Sequence, residues 1–212
     1  MTFVLGIYDL FAYAIPGFLY VSVLGFAADR AGWVAIDLKD LKDVPSLLIF
    51  VAVAIGAYLV GHVTWPLGRF VDRLSYRLRP WQDPKEIFLA RDPDTEKTGY
   101  LHHSRFLLQA RAELANREVA SEISRMRAIG LMLRNCTIPL VAGATCAAAV
   151  AVSGEDRVFA ASLSVLLLLA AVGAAVHSRT LGQWATLKTY EISYWQFEAG
   201  DSGEGRETPA GD

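Results

Sequence analysis

The chain has 212 residues, of which 53% are hydrophobic and 20% charged, and its formal net charge is −2. That balance excludes a global basic field for nucleic acid. Long apolar runs separated by one charged block point to a membrane protein rather than a soluble domain. Cys136 and Cys146 fall in one predicted span, about 15 Å apart along a helix, too far to pair with each other, so no disulfide framework is implied.

Residues 10–28 form the first apolar stretch, with the length of a spanning helix. Pro16-Gly17 lies inside it. Proline removes an intrahelical hydrogen bond and clashes one turn back, which predicts a kink there. Gly25-Phe26-Ala27 has the small-x-small form of a signal-peptide cleavage site. Asp9 precedes the apolar run and no Lys or Arg does, so the segment reads as a retained span. Residues 29–43 form a short polar loop in which Trp33, Val34, Ile36, Leu38 and Leu41 fit an interfacial amphipathic helix. The second span covers residues 44–65. Pro45 suits a first helical turn, and Trp65 fits an interfacial anchor. Ala52 with Gly56 and Ala57 with Gly61 give two small-xxx-small spacings for close helix packing.

Residues 66–130 are the only sizeable polar region. Its first part reads as a basic amphipathic helix ended by Pro80, and Arg69, Arg73, Arg77 and Arg79 are candidate contacts to anionic headgroups. A loop rich in Pro, Asp and Lys follows. From Ser104 to Val152 the pattern predicts one long helix that starts polar and ends apolar. Leu108, Ala112, Ala115, Val119, Ile123, Met126 and Ile129 recur three or four apart. Glu113 with Arg117 and Glu122 with Arg125 have the spacing of helical ion pairs. This stripe can pack on copies of itself or on the segment 70–89.

The third and fourth spans, residues 131–152 and 158–176, form a hairpin across the turn Ser153-Gly154-Glu155-Asp156-Arg157. Arg134 and Asn135 mark the polar boundary of the third span, where a long Arg side chain can reach headgroups. Pro139 predicts a second kink, and Gly143, Ala147 and Ala151 a close-packing face. Residues 179–198 read as an aromatic amphipathic helix carrying Trp184, Leu187, Tyr190, Tyr194 and Phe197. Residues 199–212 read as a disordered tail.

With four spans, the two termini and the central region share one side. Leaving aside the boundary residue Arg134, that side carries fifteen Lys and Arg against four on the other. The positive-inside rule therefore expects both termini in the cytoplasm of a plasma (inner) membrane. Asp9, His62, Arg134, Asn135 and His177 then lie near cytoplasmic span ends, as candidate interhelix or pore-mouth polar residues. A pair between Asp9 and Arg134 would orient the first and third helices.

Catalytic chemistry is not legible. His102 and His103 follow Asp92, Asp94 and Glu96, but adjacent histidines rarely both reach one ion, and no ligand stands one helical turn away. No G-x-S-x-G, Walker or Rossmann glycine pattern occurs. The sequence predicts an all-α integral membrane protein, four transmembrane helices with a cytosolic helical insertion between spans two and three, with no enzymatic role and no metal or cofactor. The expected function is a self-associating protein whose cytosolic arm binds or senses a protein partner and couples to the spans, on a bilayer with anionic headgroups. A pore or channel-like effector opened by a cytosolic trigger is the alternative, and a lipid-directed enzyme using His102 or His103 the third reading.

Overall fold

The structure, a computed structural model, describes residues 2–33, 45–78, 82–91, 93, 105–154 and 156–204. Side chains are described within these ranges except at 2–9, 75, 76, 78, 105, 106, 115 and 196–204. Among the described residues there are seven α-helices and no strand: α1 (Thr2–Arg30), α2 (Ser46–Val63), α3 (Trp65–Leu78), α4 (Pro84–Arg91), α5 (Arg105–Ala115), α6 (Arg117–Ser153) and α7 (Arg157–Glu204). Four of them, α1, α2, α6 and α7, contain segments long and apolar enough to cross a membrane. Residues 34–43 of the predicted interfacial segment, Arg79, and His102-His103 with Asp92, Asp94 and Glu96 lie outside the described residues.

Two compact units make up the chain. One comprises Met1–Pro80 and Ala128–Thr180, the other Trp81–Arg127 and Leu181–Asp212. α6 and α7 each contribute residues to both.

In the first unit, the buried residues are small. Ala12, Ala57, Ala144, Ala147, Ala160, Ala171 and Ala174 are buried, and the largest fully buried side chains of this unit are Pro16 and Pro139. Neither proline breaks its helix. α1 and α2 approach backbone to backbone: a β-carbon on Gly17 would overlap the Ala57 carbonyl, and one on Gly61 would overlap the Tyr13 carbonyl. Of the two small-residue spacings in α2, Ala57 with Gly61 forms this contact. Ala52 is exposed, and a β-carbon on Gly56 would meet nothing within 4 Å. Helix ends are closed locally. α1 stops in a Schellman turn, with Trp33 N–H donating to Ala28 O at 3.0 Å, Gly32 N–H to Asp29 O at 3.0 Å, and Gly32 at φ 68°. Glycine takes that left-handed conformation without steric cost. Ser164 Oγ donates to Ala144 O at 2.8 Å, tying α7 to α6 across the hairpin. Most other hydroxyls in these helices bond back to their own preceding turn, as Thr137 does to Leu133 O at 3.2 Å and Ser162 to Val158 O at 2.8 Å.

The second unit has larger side chains at its centre. Phe88 of α4, Leu108 of α5 and Tyr190 of α7 form a buried cluster, with Leu187 and Tyr194 packed against it. Its polar ties converge on α7. Arg127 Nη2 donates to Thr189 Oγ1 at 3.1 Å and Nη1 donates to Gln109 Oε1. Ser193 Oγ donates to Leu108 O at 3.3 Å, and Lys188 pairs with Glu122 at 2.9 Å.

Two expectations are corrected here. The single helix from Ser104 is interrupted at Asn116, whose Oδ1 accepts from the N–H groups of Glu118 (3.1 Å) and Val119 (3.3 Å) and so caps α6. Three residues of the stripe split by this break, Leu108, Ala112 and Ile123, are buried within the unit. The fourth span and the aromatic segment, expected as two helices, are one: α7 runs 48 residues without interruption and includes 199–204 of the predicted tail. No proline stands between them to stop it, and the Ser178 hydroxyl donates back to Ala175 O at 2.9 Å instead of capping a new helix.

The α1–α2 contact generates a paired prediction. Gly61→Leu places a side chain into the Tyr13 backbone and should destabilise by at least about 2 kcal/mol, as overpacking does. Gly56→Leu, one helical position from Ala57 yet facing open space, should stay within about 0.5 kcal/mol. Unfolding of the purified protein in mixed micelles by increasing dodecyl sulfate reads both.

Candidate functional site

The most unusual chemistry among the described residues lies where α3 meets α6. α2 ends at Thr64, whose hydroxyl donates to Val60 O at 2.8 Å, and Pro66 in the first turn of α3 needs no intrahelical N–H partner. Residues spaced three and four apart then share a face of α3. Trp65, Gly68 and Asp72 form one face, and Leu67, Phe70 and Leu74 the opposite one, where all three are exposed. Arg69, Arg73 and Arg77 are exposed along the side between the two faces. Arg69 lies over the Trp65 ring at 4.2 Å, a cation–π contact.

The Gly68 face closes on two consecutive residues of α6. A β-carbon on Gly68 would overlap Asn135 Oδ1 and stand 2.9 Å from Arg134 Nε. A larger residue at this position would have to push the Asn135 and Arg134 side chains aside. Arg134 Nη1 donates to Asp72 Oδ2 at 2.7 Å. The pair is asymmetric, with the Arg134 side chain 16% exposed and Asp72 48%. Around it, five buried atoms make no hydrogen bond among the described residues: Trp65 Nε1, Arg134 Nε and Nη2, and both amide atoms of Asn135, which is only 3% exposed. Pro139, four residues beyond Asn135, also has no N–H to give the Asn135 carbonyl.

Arg134 therefore spends one terminal nitrogen on Asp72 and keeps the Nε–Nη2 edge of its guanidinium unpaired. That edge is the fork that matches carboxylate and phosphate oxygens. Buried polar groups normally find partners, and each unpaired one costs about 1–3 kcal/mol. The arrangement can hold two helices together through one charge pair and offers several more donors if the helices part. It contains no paired carboxylates, and no cluster of three metal-ligating residues occurs among the described residues.

The other sequence candidates are dispersed. His62 lies against Tyr13 (ring centroids 4.5 Å) and Tyr58 (5.8 Å), an aromatic group at the α1–α2 contact. His177 is exposed on α7. The side chain of Asp9 lies outside the described residues, and the acid found against Arg134 is Asp72. Sequence reading missed Asp72, Gly68 and the role of Trp65. The signal was their three-four spacing, together with Asp72 being the only acid within α3.

Comparison of the chain with protein-family models, with curated proteins and with solved structures finds no match.

The geometry predicts the behaviour of the pair. Asp72→Ala leaves the Arg134 charge buried without its acid and should cost about 3 kcal/mol. The double change Arg134→Met with Asp72→Leu should recover most of that loss, because an apolar contact replaces both partners. A double-mutant cycle on unfolding midpoints in mixed micelles checks both statements.

Proposed function

We propose that this protein is a self-associating, non-enzymatic membrane protein. Its four apolar helices cross the plasma (inner) membrane, and its helical unit of α4, α5 and the polar ends of α6 and α7 binds a protein partner in the cytoplasm. Binding there biases the packing of the spans. The observation that carries the reading is that α6 and α7 are each single helices shared by the two units, with the half-paired Arg134 group on α6 just past the unit boundary. An unpaired buried polar group is stability forgone, and such violations concentrate at functional sites. A contact with donors left over is also one that can exchange partners.

Insertion is supported by what the apolar helices expose. Leu47, Leu48 and Phe50 on α2 and Phe159, Leu166 and Leu169 on α7 are all more than 60% exposed. Soluble monomers rarely leave contiguous apolar surface of that extent uncovered, whereas a bilayer covers it. The charge asymmetry supports the orientation, with both termini and the polar unit in the cytoplasm. α3 fits the cytoplasmic surface of the bilayer: Leu67, Phe70 and Leu74 enter the interface and Arg69, Arg73 and Arg77 meet anionic headgroups.

Self-association is assigned to the spans and not to the α5 stripe, which is consumed inside its own unit. Ala52 and Gly56 on α2, and Gly173 on α7, present small residues with no neighbour within the protomer at the glycines. Small residues let helix backbones approach closely where lipid supplies no hydrophobic drive. Single cysteines at Ala52, Gly56 or Gly173, in a background lacking Cys136 and Cys146, should give oxidative dimers in native membranes. Leu114→Cys, 89% exposed on α5, should give none without the cytoplasmic partner. Strictly monomeric protein by light scattering, with no cross-link from any span position, would overturn the self-association.

A further inference from the structure

A cavity of about 390 Å³ lies within the first unit, at the end of it that carries the α6–α7 turn. The volume falls in the range of pockets that hold small ligands. Its walls are apolar: Val23 and Phe26 of α1, and Leu163 and Leu167 of α7, face it across Gly143 and Ala147 of α6. Gly143 is tight, with a β-carbon there standing 3.3 Å from Val23 and 3.4 Å from Leu167. Phe26, Phe159 and Leu163, which line the cavity, are also exposed on the outside of the unit, so the space opens sideways.

Two opposite charges stand at one end. Arg30 is the last residue of α1 and Asp156 immediately precedes α7. Both line the cavity, and neither has an ion-pair partner among the described residues. The Arg30 guanidinium lies 5.7 Å from the centre of the Phe26 ring, which holds the cation at the rim. From Arg30 the lining residues of α1 extend back to Ser22, and those of α7 run from Asp156 to Leu167. At 1.5 Å per helical residue these runs are about 12 and 16 Å long. Half the hydrocarbon core of a bilayer is about 15 Å. From its charged end inward the lining thus has about the depth of one leaflet.

We propose that this cavity binds one acyl chain of a phospholipid with a phosphoethanolamine head, its phosphate on Arg30 and its ammonium on Asp156. The chain fills the space between Val23, Ala147 and Leu167. A zwitterionic head satisfies both charges, whereas an anionic head leaves Asp156 facing a like charge. A primary ammonium donates hydrogen bonds to a carboxylate, which a quaternary one cannot do. On the topology proposed above, the lipid belongs to the outer leaflet. The inference rests on the membrane reading, and the test separates the two.

The probe is a phosphoethanolamine lipid with a photoactivatable diazirine midway along one acyl chain, and the comparison is its phosphoglycerol analogue. Each is added to nanodiscs holding the full chain. After irradiation, peptides containing Val23, Ala147 and Leu163 should carry more phosphoethanolamine probe than the lipid-exposed α2, and more than they carry of the analogue. Ala147→Phe, which fills the cavity, should reduce labelling of these peptides to the level of α2. Asp156→Asn, an exposed change with little bearing on folding, should abolish the preference between the two probes. Equal labelling by both probes in the unaltered protein would overturn the proposal, as would labelling unchanged by Ala147→Phe. Release of the protein from membranes by alkaline carbonate would instead sink the membrane reading itself. Retention in carbonate with no enrichment of label would sink only the lipid site.

Discussion

A guanidinium carried on a helix that is turning apolar has to find an acid, and the pairing of Arg134 with Asp72 joins α3 to α6 within the first unit. An arginine at the centre of a span costs about 3 kcal/mol by insertion scales, and a buried charge that loses its partner costs as much or more. Among the described side chains the acid at Arg134 is Asp72, and the pair sets the Trp65, Gly68 and Asp72 face of α3 against α6. The opposite face of α3, with Leu67, Phe70 and Leu74, is thereby left outward. One charge pair decides which side of an amphipathic helix is internal and which can meet a bilayer. Among the described residues it leaves the Asn135 amide, Trp65 Nε1 and the Nε–Nη2 edge of the guanidinium without hydrogen bonds, which makes the contact strong in charge and poor in hydrogen bonds.

The two units use different physics. In the unit that holds the apolar helices, contacts are made by absence of side chain: Gly17, Ala57 and Gly61 let α1 and α2 touch through their backbones, and alanines fill the interior. Large apolar residues point outward, the reverse of a soluble core, which is the distribution expected when the surroundings are as apolar as leucine. In the other unit, Phe88, Leu108 and Tyr190 make a centre of large side chains, rimmed by Lys188 with Glu122 and Arg91 with Glu191. Here the large side chains lie inside and the charges outside, the reverse of the first unit. The same two helices supply both, so the two distributions meet along α6 and α7.

Much of this was legible from composition. The apolar windows read from the sequence fall within α1, α6 and α7, and the second, 44–65, overlaps α2 (Ser46–Val63). Apolar length is a local property and needs no partner to be recognised. Helix ends were less legible. The break at Asn116 rests on one side-chain oxygen, and the hydrophobic stripe passes through it in phase, so periodicity alone runs the two helices together. The fusion of the fourth span with the aromatic segment went unseen because a change from apolar to polar looks like a boundary even where nothing stops the helix. Asp72 could not be matched to Arg134, since the partners are 62 residues apart in sequence and every nearby charge is a competitor. Small residues announced close packing, but only the three-dimensional arrangement distinguishes Ala57 and Gly61, which are used within the protomer, from Ala52 and Gly56, which are not.

In the function proposed above, α1, α2, α6 and α7 cross a bilayer with the polar unit on the cytoplasmic side. The direct measurement is cysteine accessibility in spheroplasts of a bacterial host, with Cys136 and Cys146 replaced and single cysteines at Trp33, Leu114, Ser153 and Trp195, all exposed positions. A maleimide that cannot cross the membrane should label Trp33→Cys and Ser153→Cys in intact spheroplasts. It should label Leu114→Cys and Trp195→Cys only after lysis. Labelling of Leu114→Cys from outside, or Trp33→Cys and Ser153→Cys on opposite sides, would contradict the account.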